Sequence, residues 1–144
     1  MNLAIDLQLT DTRPPEFEEL VAGVRRFNTA QAGEGNARPL AVLARDSTGT
    51  LRGGVAGRTI YGHWLIEVLW VDDACRGSGL GKRLMEQAER EAIARGCVAA
   101  QVDTLSFQAP DFYRKLGFEV VGRIEGFPAG HDRYFMLRRF VDRS

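Results

Sequence analysis

Cysteine is scarce in this chain: Cys75 and Cys97 are the whole supply in 144 residues. Two thiols cannot make the disulfide framework of a small secreted domain, and no Cys/His spacing makes a metal site. Net charge is lacking as well, because 19 basic residues balance 19 acidic ones. Without a global field the chain has no long-range means of recruiting nucleic acid or an anionic membrane surface. No run approaches the ~20 apolar residues that cross a bilayer. The start, Met1-Asn2-Leu3-Ala4-Ile5-Asp6, is acidic early and lacks the plan of a signal peptide. These absences point to a reduced cytoplasmic protein without metal. What is present, 44% hydrophobic and 26% charged residues, is enough for one globular domain spanning 1–144 with its own core.

Periodicity gives the organisation. Leu3 to Leu9 alternates apolar and polar residues and predicts a strand. Pro14-Pro15 opens a helix over about Glu16 to Asn28, with Phe17, Leu20, Val21 and Val24 on one face. Strands are expected over Leu40–Arg45, Leu51–Ile60 and Trp64–Val71, with a turn at Asp46-Ser47-Thr48-Gly49. A central helix runs from about Gly79 to Arg95, because Leu80, Leu84, Ala88 and Ala92 recur every fourth position and Gly96 ends it. Cys97 to Thr104 reads as a strand covered on both faces. Pro110 and Gly117 bound a short helix, and Phe118–Glu125 and Arg133–Phe140 close the sheet. The order β-α-β-β-β-α-β-α-β-β fits an α/β fold on a mixed sheet.

One segment carries the chemistry. Arg76-Gly77-Ser78-Gly79-Leu80-Gly81-Lys82 lies between the strand ending Val68-Leu69-Trp70-Val71 and the central helix. Glycines at alternate positions let backbone amides approach a ligand closely, and the helix behind them aims its positive end the same way. A phosphate or pyrophosphate suits such a loop. A nucleotide-hydrolysing loop needs four residues between its glycines and a hydroxyl after the lysine, whereas Gly77 and Gly81 bracket three and Lys82 precedes Arg83. A dinucleotide turn needs Gly-x-Gly-x-x-Gly near a domain start, and this loop is one residue too tight and lies mid-chain.

Arg76-x-x-Gly79-x-Gly81 after a strand resembles the acetyl-coenzyme A loop of the GNAT acetyltransferases. About thirty residues on, Ala109-Pro110-Asp111-Phe112-Tyr113-Arg114-Lys115-Leu116-Gly117-Phe118 resembles that family's Ala-x-x-Phe-Tyr-x-Lys-Leu-Gly-Phe segment. The resemblance covers roughly Leu65 to Phe140. It implies the GNAT acyl-CoA N-acyltransferase fold, a central mixed, mostly antiparallel sheet flanked by helices. It implies N-acetyl transfer from acetyl-coenzyme A, as co-substrate, to a primary amine of a small molecule or peptide, by direct attack in a ternary complex. The expected coenzyme contacts are Arg76, Gly77, Ser78, Gly79, Leu80, Gly81 and Lys82 at the diphosphate. Main-chain groups of Leu69, Trp70 and Val71 follow along the pantetheine arm, with Gln108 and Phe112 nearby. A backbone amide near Leu69 is the implied oxyanion donor.

Two residues are the catalytic candidates. Tyr113 holds the family's tyrosine position, which puts its hydroxyl near the thioester sulfur as proton donor; packing of the short helix is the other reading. Glu67 is the only acid in the apolar strand Trp64–Val71. Strand alternation puts it on the face of Leu65, Leu69 and Val71, where burial would raise its pKa toward that of a base. It takes the amine proton directly or through water, or it only positions substrate. Asp103 is a second candidate for substrate contact or proton relay. Ser106 stands where many family members carry Asn, which puts one usual coenzyme contact in question. His63 and His131 fall in turns away from the matched motifs. The acceptor pocket is expected from Glu16–Gly35 and Gly126–Arg133, with Tyr61 and Trp64 nearby. A non-catalytic acyl-CoA-binding regulator on the same fold makes the same coenzyme contacts and would not need Tyr113. Oligomeric state leaves no mark in the sequence; a homodimer is the expectation for so small a domain.

Overall fold

A computed structural model describes residues 3–140 of the chain. Contacts divide it into two compact units, one up to Gly35 and one from Asn36 on.

The first unit holds one helix, α1 (Phe17–Ala32). It starts behind Pro14, whose carbonyl accepts from the Phe17 amide, and it stops at Gly33, which takes φ 81°. It runs four residues past the expected end at Asn28, through Thr29-Ala30-Gln31-Ala32, where nothing opposes helix before the glycine. Residues 3–9 form no strand, contrary to the alternation of their sequence. A strand exists by pairing, and residues 3–9 pair with no strand among the described residues.

The second unit is built on a six-stranded sheet: β1 (Arg38–Arg45), β2 (Leu51–Ile60), β3 (His63–Val71), β4 (Ala99–Leu105), β5 (Glu119–Glu125) and β6 (Asp132–Arg139). The order across the sheet is β1-β2-β3-β4-β6-β5, and β3–β4 is its one parallel pair. That pair is joined by the crossover helix α2 (Leu80–Ala94), as a parallel connection requires. The sheet is thus mixed and mostly antiparallel. The helix α3 (Pro110–Lys115) follows β4.

The core lies between the sheet and α2. Leu84, Met85, Ala88 and Ala92 of α2 are buried together with Val55, Trp64, Ile66, Ala100 and Met136 of the sheet. The alanines at 88 and 92 let the helix lie close on the strands, and Leu84 and Met85 fill the space toward its start. Trp64 is 1% exposed, so it is a core residue and no part of an acceptor pocket. Its indole N–H has no partner among the described residues.

Candidate active site

Two features meet at one end of the sheet. The first is a split between the central strands. β3 and β4 pair only from His63↔Ala99 to Ile66↔Val102. Beyond that, β3 stays with β2 as far as Val71↔Gly53, and β4 stays with β6 as far as Leu105↔Arg133. Each strand follows its outer neighbour, and a V opens between them. Among the described residues, the edge of β3 that faces β4 is therefore unpaired from Glu67 to Val71, which suits its main-chain groups to an extended ligand.

A bulge marks where the V begins. Ala56 pairs with Val68 and Gly57 with Ile66, which leaves Glu67 as the extra residue. Gly57 makes the bulge possible, since a Cβ there would sit 2.0 Å from the Leu65 carbonyl oxygen and 3.1 Å from the Glu67 amide nitrogen. The extra residue inverts the alternation. Trp64 and Ile66 face the core before it, Glu67 and Val68 both lie exposed, and Leu69 and Val71 pack on the core after it. The expected common face for residues 65, 67, 69 and 71 is thus corrected: Glu67 shares the side of Leu65, opposite Leu69 and Val71. Glu67 is exposed, so burial against apolar neighbours is not its situation.

The second feature is the loop that enters α2. After β3, residues Asp73–Cys75 make one 3-10 turn. Gly77 and Gly79 then adopt φ 79° and 81°, the left-handed region that β-carbons disfavour. Gly79 is the N-cap of α2 and supplies no side chain to its amides, and the first turn holds no acid. The first N–H groups of the helix thus have no side-chain cap and no countercharge in the first turn among the described residues. Gly81 has a different task. A Cβ there would lie 3.3 Å from the Phe112 ring, so Gly81 lets α3 pack against the start of α2. Arg76 and Lys82 stand at the two ends of the loop in exposed pairs with Asp73 (3.1 Å) and Glu86 (3.9 Å), arrangements a ligand displaces at little cost.

A bridge that sequence reading missed secures the loop. Arg52 of β2 donates to Asp72 (2.6 Å) and to Asp46 (2.9 Å), and the Asp72 amide donates to the Arg52 carbonyl. The hydrogen bond from Arg52 holds the Asp72 carboxyl below its ordinary range. Asp46 is lowered further, first by Thr48 and then by Arg52.

Tyr113 of α3 is 5% exposed, with its ring edge-on to Phe112 (5.3 Å) and Phe118 (5.6 Å). Its phenol is pushed up to about 12, mainly by burial and further by the Asp103 carboxylate. Phe112 wedges between Tyr113 and Gly81. Gln108 points its amide oxygen back at the Leu105 amide (2.8 Å) and so closes the turn into α3. The Ser106 hydroxyl accepts from the Asp132 amide (3.0 Å), tying the end of β4 to the start of β6.

The sheet face opposite α2 carries a cleft of about 590 Å³. Leu65, Glu67, Asp103 and Phe135 line it. Asp103 is gripped by Arg133 through Nε (3.0 Å) and Nη2 (2.9 Å), so its charge is already met. Arg133 in turn lies over the rings of Phe135 (4.8 Å) and Phe127 (5.5 Å). His63 is not a turn residue: it begins β3, lines the cleft and lies 2.9 Å from the Gln101 amide nitrogen through Nδ1. His131 stays in the β5–β6 turn, edge-on to Phe107. No sequence signal places His63: its pairing with Ala99 at the first parallel rung shows only in the sheet register.

The sequence model of the acetyltransferase (GNAT) family matches residues 5–118. The chain is 39% identical over 107 residues to Blasticidin-S acetyltransferase of Streptomyces morookaense, covering 71% of this chain and 78% of that one. It is 31% identical over 133 residues to Acetyltransferase Atu2258 of Agrobacterium fabrum, covering 92% and 97%. The crystal structure of an acetyltransferase from Bacillus cereus superposes with a TM-score of 0.82 at 29% identity, covering 93% of this chain and 98% of that one. The chain belongs to the acetyltransferase (GNAT) family, and its class is that of an acetyl-coenzyme A-dependent acyltransferase.

Proposed function

We propose that residues 1–144 act as one catalytic domain that moves the acetyl group of acetyl-coenzyme A to the primary amine of a small molecule, both substrates being bound at once. The observation that carries this reading is the meeting of the open β3 edge with the uncapped start of α2. Diphosphate oxygens complement the free N–H groups from Gly79 to Lys82, with Arg76 and Lys82 adding charge. From there an amide-bearing arm can run along Leu69, Trp70 and Val71 as an added strand, its thioester arriving at the bulge. The relative named Blasticidin-S acetyltransferase supports a small-molecule acceptor over a protein one.

The steps balance without a metal. Glu67 takes a proton from the ammonium of the acceptor, directly or through one water. The amine lone pair then attacks the thioester carbon, and a main-chain N–H near Leu69 holds the oxyanion, a contribution of roughly 3–4 kcal/mol where such donors have been removed. As the C–S bond breaks, the nitrogen of the adduct releases its second proton and the amide forms. The thiolate, hydrogen-bonded by the Tyr113 hydroxyl, takes up one proton and leaves as the free thiol, so the net proton released is the one Glu67 took. Free thiols at Cys75 and Cys97 support a cytoplasmic site of action.

The experiment is free-thiol release from acetyl-coenzyme A across a panel of amines, with thermal shifts read in parallel. Acetyl-coenzyme A should stabilise the protein and ATP should not. Glu67→Gln should keep that stabilisation and lower kcat by ~10²-fold, the scale of general base help. Stabilisation by ATP alone, or unchanged turnover in Glu67→Gln, would overturn the reading.

A further inference from the structure

The charges in the cleft are unevenly matched. Asp103 is neutralised by the two-point contact from Arg133. The Nδ1 atom of His63 is occupied by Gln101. That leaves Arg58 and Glu67, which line the same cleft yet have no ion-pair partner among the described residues. They sit on adjacent strands: Arg58 is opposite Leu65, and Glu67 is two residues further along β3. Diagonal neighbours of this kind are about 7–8 Å apart. The bulge at Glu67 turns β3 here, and the two side chains do not close on one another. Between and behind them the cleft floor is apolar, made by Leu65, Phe135 and Leu137.

A protein that needed only to bind an amine would gain nothing from an unpaired guanidinium beside the base, since a cation there repels an ammonium group. The pair makes sense for a ligand that carries both charges. We propose that the acceptor is an amine bearing its own carboxylate, an amino acid-like molecule with an apolar body. Its ammonium faces Glu67 and its carboxylate is received by Arg58 in the planar two-point manner suited to guanidinium. Arg58 is then a specificity-determining residue: it fixes the end of the acceptor that does not react, and so turns the amine toward the bulge. This inference rests on the acetyl-transfer reading above and names its substrate class.

The test compares apolar amino acids with the matching decarboxylated amines, leucine with isopentylamine and phenylalanine with phenethylamine. It uses the wild type, Arg58→Met and Arg58→Lys, with thiol release as the first readout. The wild type should prefer each amino acid in kcat/KM by about 10–100-fold, the worth of one charge-assisted contact. Arg58→Met should erase that preference by raising KM for the amino acid while KM for the amine falls slightly, the repelling cation being gone, and Arg58→Lys should restore part of it. Thermal shift with coenzyme A present gives a second readout that does not need turnover: the amino acid should stabilise the wild type and not Arg58→Met. A wild type that takes or binds the decarboxylated amine as well as the amino acid overturns the proposal and leaves acetyl transfer standing. A preference that survives in Arg58→Met does the same. Silence of every amine in thiol release counts against acetyl transfer, and the binding arm then decides the carboxylate question by itself.

Discussion

Replacing Tyr113 with phenylalanine removes one oxygen from the middle of the proposed reaction path and almost nothing from the fold. The ring keeps its edge contacts to Phe112 and Phe118. The hydroxyl makes no hydrogen bond with the described residues, so no partner is left unsatisfied when it goes. Losing a hydroxyl that pairs with no protein group is close to neutral. The effect on catalysis is larger, and the raised phenol sets its size. A group held at about 12 lies three to four units above a thiol of about 8.5, so complete proton transfer to a free thiolate would be uphill by roughly 5 kcal/mol. The phenol therefore acts first as a hydrogen-bond donor to the sulfur as charge develops, and transfer is completed only as the bound thiolate, itself cut off from water, becomes more basic. That places the loss in Tyr113→Phe near the low end for general acid help, about 10²-fold in kcat. KM for acetyl-coenzyme A should stay within about twofold, because loss of a contact made only in the transition state lowers kcat and leaves ground-state binding alone.

The same shift gives a signature free of kinetics. Tyr113 ionises near 10 when unfolded and near 12 when folded. Above pH 10 the unfolded chain loses this proton first, so the contribution is intact below pH 10 and drains away between pH 10 and 12. It amounts to roughly 2–3 kcal/mol over that window. Urea denaturation at pH 9, 10, 11 and 12 should show wild type level with Tyr113→Phe at pH 9 and falling below it at the alkaline end. Parallel stability curves would mean that the phenol is not buried as described. Turnover of Tyr113→Phe within threefold of wild type would mean that its oxygen does not reach the sulfur.

The parts of the fold legible in the sequence are those fixed by short-range rules. The α2 stripe at Leu84, Ala88 and Ala92, the glycine stop at Gly96 and the Pro110 start of α3 all follow from local geometry, and each element lies within a residue or two of its expected place. Residues 3–9 show the limit of alternation: a period of two is necessary for a half-buried strand, but a partner makes it one. The bulge was invisible for the opposite reason. Trp64–Val71 reads as an unbroken strand, and nothing local to Glu67 predicts an extra residue there. The cause sits on the neighbouring strand at Gly57, and only the β2–β3 register brings the two together. The charge pattern of the site was illegible on the same grounds, since Arg52 reaches Asp72 across 20 positions and Arg133 reaches Asp103 across 30.

Two substitutions test the scaffold of the site. Arg52→Met should loosen the entry to α2 and raise KM for acetyl-coenzyme A with little change in kcat. Because Arg52 holds Asp72, and in part Asp46, below the ordinary 3.8, their contribution is present above that value and lost as pH falls beneath it. Urea midpoints measured from pH 5 to pH 2 should therefore fall less steeply in Arg52→Met than in wild type, and equal slopes would refute the bridge. Gly57→Ala tests the bulge. Alanine in place of a strand glycine ordinarily stabilises by roughly 0.5–1 kcal/mol. Here the new methyl would stand 2.0 Å from a main-chain oxygen of the paired strand, which no side-chain rotation relieves. Overpacking of this kind costs about 1–3 kcal/mol, a fall in Tm of roughly 3–12 °C for a chain of this size. Relief by ironing out the bulge would return Glu67 to strict alternation, so kcat should fall further than stability alone explains while acetyl-coenzyme A still raises Tm. Gly23→Ala is the contrast: its nearest neighbour is the mobile end of Arg26 at 3.7 Å, and the helix should gain up to ~1 kcal/mol. A Gly57→Ala protein as stable as Gly23→Ala would show that the β2–β3 register, and with it the position given to Glu67, is wrong.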